Sequence, residues 1–246
     1  MKLLQIPKLL AWLVGTSIVI GAGPHHSTPV PVFHHPHDVC GVVALLRLCR
    51  DDEAKYDIML EIRRKLKSDE VWHEITTQDL SFATLPGTAE LHAASWQNND
   101  YLCFDTVGDV VAYERWGAID PARLLETFPL ERYREWEKYR WEARAMVLDT
   151  LSRRTGRVVR FVNVIDNKGV GIGHRKILSY AKEFSAGDAA LTIPTSPSAI
   201  FLVGVNSIAT GIINTAKAAF FSESQKRKTQ VISGDPFRHS NDFAER

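Results

Sequence analysis

The residues whose types and spacing bear on chemistry gather at the end of one stretch, VVRFVNVIDNKGVGIGH, Val158 to His174. It runs from β-branched and aromatic residues into Gly169, Gly171 and Gly173, with Asp166 just ahead of them. A dinucleotide-binding loop needs the spacing G-x-G-x-x-G, so that the backbone can approach a pyrophosphate at a helix N-terminus. Here the third glycine arrives one residue early and His174 stands in its place. Asp166 precedes the glycines, whereas the ribose-binding acid ends the following strand. The expectation is a glycine-permitted turn that hands a strand over to a packed helix. Asp166 would sit at the C-terminal edge of a strand, where open α/β sheets bind ligands. It is the best single candidate for catalysis, provided that His174 or Glu114 converges on it. Capping the turn through its carboxylate is the plainer role. His174 has no nucleophile partner in sequence and is expected to be satisfied or solvent-facing.

Other reactive patterns are missing: the chain has no G-x-S-x-G elbow, no H-E-x-x-H and no P-loop. Cys40, Cys49 and Cys103 form no C-x-x-C pair, which points to a reduced body without thiolate zinc. His25, His26, His34, His35 and His37 lie among Pro24, Pro29, Pro31 and Pro36, a composition that reads as linker and not as a fixed ligand cage. No metal or cofactor is expected. The 30 Lys and Arg nearly balance the 29 Asp and Glu, so no global field draws the chain to nucleic acid.

The elements that must position these residues follow from periodicity. With 246 residues and 45% hydrophobic content, the chain can bury one large core or two modest ones. A helix is expected from Cys40 to Asp52, then a second pattern through YDIMLEIRRKLKSDEVW with Ile58, Ile62 and Leu66 inward. Its Arg63, Arg64, Lys65 and Lys67 read as solvated surface. Tyr101–Phe104 and Val110–Glu114 read as a hairpin. Asp120 with Pro121 starts a helix. A long helix from Pro129 to Gly156 carries Trp136, Tyr139, Ala143, Val147 and Thr150 along one side. It feeds the Val158–Ile165 strand, and His174–Phe184 follows as a short helix. IFLVGVN, Ile200 to Asn206, is apolar throughout, as a strand buried on both faces would be. SIATGIINTAKAAFF is an unusually apolar helix, Ser222 caps the next, and TQVIS is a last strand. Strands interleaved with helices indicate a layered α/β fold with a mostly parallel sheet.

At the N-terminus, Lys2 and Lys8 precede an apolar run over residues 9–22 that ends in Gly21-Ala22-Gly23. It reads either as a signal or membrane anchor or as an atypical buried arm. The organisation expected is a hydrophobic segment at 1–23, a Pro/His-rich linker at 24–39, a small helical region at 40–85 and the main domain at 86–246. The body would be cytoplasmic or peripheral to a membrane.

The apolar helix over 208–221 reads in two ways: as simple core packing, or as a helix that covers the sheet with one face and lines or closes an apolar cavity with the other. Candidate wall residues are Phe201, Val203 and Val205 on the strand, with Ile208, Ile212, Ile213, Ala216 and Phe220 on the helix.

The order of these motifs resembles the CRAL-TRIO family of lipid-binding domains. VVAYERWGAIDPARL is similar to its strand, aromatic-Glu-Arg and Ile-Asp segment. NVIDNKGVGIGH is similar to its Val-x-Asp-x-x-Gly turn at Ile165, Asp166 and Gly169. VNS at Val205 to Ser207 is similar to its Val-Asn-x-Pro strand end, and AKAAFFSESQKRKTQVISG to its Lys-Pro-Phe-Leu through Leu-Gly block. LLRLCRDD near Leu45 is similar to the opening of its small helical domain. Ile208 and Ala218 replace family prolines, Thr195 replaces the acid of Tyr-Pro-Glu, and the terminal segment has no counterpart, which implies a domain shortened at its C-terminus. The resemblance implies a CRAL-TRIO-like layered fold that binds and transfers a hydrophobic ligand such as a phospholipid, with transient membrane contact and without catalysis. It also implies that Lys217 and position 195 face a headgroup. The alternatives are a regulatory or protein-interaction module with a degenerate pocket, and an α/β enzyme using Asp166.

Overall fold

Five short runs rich in β-branched and aromatic residues pair into one sheet: β1 (Asn98–Phe104), β2 (Val110–Glu114), β3 (Phe161–Asp166), β4 (Ala199–Val205) and β5 (Thr229–Ser233). A computed structural model describes residues 53–185 and 197–233 of the chain. The expectations placed on residues 1–52, and on Thr195, lie outside the described residues. Strand order is β1-β2-β3-β4-β5. The first pair is the antiparallel hairpin and the other three are parallel, so the fold is α/β with a mixed sheet and flanking helices.

Each parallel step needs a crossover. The connection from β2 to β3 runs through two helices that follow the short α1, α2 and α3 (Glu53–Lys65, Ser68–Thr77 and Thr88–Ala93). These two are α4 (Pro121–Thr127) and α5 (Leu130–Thr155). A 3-10 turn at Ile172–Ile177 and α6 (Leu178–Ser185) follow β3, and α7 (Ser207–Phe220) with α8 (Glu223–Lys228) joins β4 to β5. Right-handed crossovers that step in one direction place their helices on one side of a sheet. Accordingly, Val110, Ala112 and Phe161 pack with Leu148 of α5, and Ile200 and Leu202 pack with Ala209 and Ile212 of α7. The strand partners Asn163–Ile200 and Ile165–Leu202 tie these two groups to one face.

Local chemistry sets the ends. Asp120 accepts from the Ala122 and Arg123 amides at 3.0 and 3.1 Å and starts α4. The left-handed Gly156 stops α5. The pattern read as continuous from Tyr56 to Trp72 is broken instead at Lys67, which takes a left-handed conformation between α1 and α2. Arg63, expected on solvated surface, is buried: it forks onto Glu142 of α5 at 3.0 and 3.2 Å. Val71 and Ile75 of α2 join Trp96, Tyr133 and Trp136 in the largest core cluster.

The opposite face of the sheet carries Val111, Tyr113, Val162, Val164 and Val203. Among the described residues this cluster is built from strand side chains alone.

Candidate functional site

Between α7 and its side of the sheet lies a cavity walled by Ile165, Ile200 and Leu202 from the strands and Ala209, Ile212, Ile213 and Ala216 from α7. Val170, Leu178 and Phe221 close its flanks. The cavity has a volume of about 80 Å³ and is open to solvent. A short chain or a small ring fits; a two-chain lipid needs α7 to move.

Two close approaches shape the edge of this cavity. A Cβ on Gly117 would meet the Lys168 carbonyl at 2.1 Å, and Gly169 sits at φ +101°, so the turn expected from the glycines is present and rests on the 3-10 turn after β2. In β4, the left-handed Gly204 breaks the register, sending Val203 to one face and Val205 to the other.

The polar end of the cavity is a buried network. Glu114 accepts from Trp96 Nε1 at 2.6 Å, from Trp116 Nε1 at 3.1 Å and from Arg140 at 3.2 Å. Arg140 also donates to Glu137 at 3.0 Å, and Tyr133 Oη donates to the same carboxylate at 2.6 Å. Burial pushes the Glu137 carboxyl up from its ordinary value of 4.5, with Arg140 opposing it. Burial likewise raises Tyr133, which keeps it a donor. Each Glu114 oxygen is committed to a donor, two on Oε1 and one on Oε2, so this carboxylate is built in as structure.

His174 lines the cavity and is 6% exposed. Its Nδ1 accepts from the Gly171 amide at 3.1 Å, while Nε2 is buried without a partner. The expectation of a satisfied or solvent-facing histidine is therefore corrected: the ring is buried and half satisfied. Asp166 does not join it. Asp166 accepts from Tyr113 Oη at 2.8 Å and from the Lys168 amide at 2.9 Å, and Tyr113 belongs to the opposite face. Asp166 thus caps its turn, and Glu114 and His174 converge on the cavity without it.

Of the residues anticipated from sequence, Ile212, Ile213 and Ala216 line the cavity. Val205 packs in the same cluster as Ile212. Phe201 and Val203 lie on the far side of the sheet, because their strand partners are Val164 and Asp166. Ile208 is exposed, Lys217 and Phe220 are half-buried outside the wall, and Phe221 lines it instead. The polar wall residues Glu114, Asn167 and His174 were not anticipated as ligand contacts. A histidine directly after a glycine turn was their one visible signal.

Among the described residues, no group of His, Cys, Asp and Glu could hold a metal ion, and no helix is long and apolar enough to cross a membrane.

No family model matches the chain, and no curated protein matches it. Among solved structures it is similar to "Crystal structure of Sfh5", at 17% identity over 81% of this chain and 65% of that one, with a TM-score of 0.49. The chain thus spans less than two thirds of that protein's length.

Proposed function

We propose that this chain is a CRAL-TRIO-like, non-enzymatic binder of a hydrophobic small molecule, held in the cavity under α7. The observation that carries this reading is the cavity itself: an apolar compartment, open to solvent, between a surface helix and the sheet. Each methylene moved from water into it gains about 0.8 kcal/mol. A single acyl chain or isoprenoid enters first. A phospholipid requires α7 to swing away from Ile200 and Leu202, and Lys217 in the last turn of α7 is then the nearest cation on that helix for a headgroup.

Transfer between membranes is the finer part of the proposal. Its support is the outer surface of the segments that carry the wall residues Val170 and Ala209. Ile172 is 63% and Ile208 43% exposed, and the Asn206 side chain, donating to the Val170 carbonyl at 3.0 Å, joins the two segments that carry them. Lys168, Arg175 and Lys176 are exposed on the same turn.

The test is native mass spectrometry of the purified chain together with transfer of labelled lipid between liposomes. Wild type is expected to carry lipid and move it. Ala216→Phe, which fills the cavity from α7, is expected to stay folded and lose both. Transfer undiminished in that variant, or no bound lipid in wild type, would refute the reading.

A further inference from the structure

Five wall residues bear polar atoms: Glu114, Trp116, Tyr133, Asn167 and His174. Four of them have polar atoms hydrogen-bonded to the protein. Glu114 takes the two indoles and Arg140, Trp116 is one of those indoles, and Tyr133 donates to Glu137. Asn167 Nδ2 donates to the Ile165 and Val203 carbonyls at 2.9 and 3.3 Å. Among these wall residues, the fully buried side-chain atom without a partner is His174 Nε2, the one donor position left unmet.

The tautomer follows from the other nitrogen. The Gly171 amide donates to Nδ1, so that lone pair is used and the neutral ring carries its proton on Nε2. An unpaired buried donor costs free energy until an acceptor arrives. We propose that His174 is the polar anchor of the cavity, its Nε2–H donating to a neutral oxygen acceptor, a ketone, ester or hydroxyl oxygen, on an otherwise apolar ligand. This rests on the binding reading above and narrows it to a chemical class. A carboxylate is the wrong partner, because Glu114 already stands in the same wall and a second buried anion there would lack a cation. A pure hydrocarbon leaves the donor unmet.

The experiment uses two probes of matched shape, 2-octanone and octane, titrated into the full chain of wild type, His174→Phe and His174→Gln. The ketone-to-octane affinity ratio is the readout, since it cancels burial common to both probes. It is expected to be about tenfold higher in wild type than in His174→Phe. His174→Gln, whose amide supplies an N–H near the Nε2 position, is expected to recover part of the difference. An equal ratio in wild type and His174→Phe overturns the proposal and leaves the cavity as a binder of hydrocarbon. If neither probe binds wild type, the binding reading fails and takes this inference with it. Should His174→Phe not fold, the ¹⁵Nε2–H resonance of wild-type His174 decides. It shifts on adding 2-octanone and not octane, or the anchor role is wrong.

Discussion

Arg140 shows how far a single side chain's chemistry depends on neighbours that are distant in sequence, since it donates to Glu114 as well as to Glu137. It lies in α5, in a stretch dense in charge, yet Glu137, Arg140, Glu142 and Arg144 are all buried. Glu137 and Arg140 pair within the helix, but Arg140 also needs Glu114, 26 residues before it, and Glu142 needs Arg63, 79 residues before it. Periodicity sees only neighbours three or four apart, so such pairs are invisible until the chain folds. The apolar members of α5, Trp136, Tyr139 and Ala143, were legible for the opposite reason: they follow helical spacing. The Glu137 environment also sets a pH dependence. Its folded pKa is raised above 4.5, chiefly by burial, so between that value and the folded one the native state holds more protons than the unfolded chain. Stability contributed by this group is therefore full below pH 4.5 and falls as pH rises through the window. Urea titrations at a series of pH values should show wild type losing stability relative to Glu137→Gln across that window; parallel curves would contradict the assignment.

Helix α7 is held at its start by one residue. Asn206 Oδ1 accepts from the Ala209 amide at 2.8 Å, and its Nδ2 binds the glycine turn. Replacing it with alanine should cost about 1 kcal/mol, hence roughly fivefold faster amide exchange across the first turns of α7. Ser222→Ala, at the cap of α8, should leave α7 exchange unchanged and serves as the control. Element boundaries were readable because caps and glycines are local: Asp120, Gly156 and Ser222 act where their types suggest. The facing of β4 was not. Every residue from Ile200 to Val203 is apolar, so alternation cannot say which set meets α7. The bulge at Gly204 then reverses the alternation for Val205. Register with Val164 and Asp166 decides the matter, and register is tertiary information.

At the scale of the molecule, the single sheet divides its labour. One face carries α5, α7 and the cavity; the other gathers Val111, Val162, Val164 and Val203. A ligand that binds only the folded chain stabilises all of it together. At a hundred times its Kd it adds about 2.7 kcal/mol. For 150 to 250 residues this corresponds to a Tm rise of roughly 5–10 °C. Thermal melts with 2-octanone should show that rise in wild type and none in Ala216→Phe. The layered α/β class was evident from interleaved strands and helices, whereas the cavity's size and its polar end were not, because both arise where α7, the glycine turn and β2 meet. Trp116 is part of the wall, and its indole shares Glu114 with the stacked Trp96–Tyr133 pair. Whatever displaces solvent beside that ring alters the polarity its excited state feels, so the chain carries its own unlabelled optical gauge of occupancy.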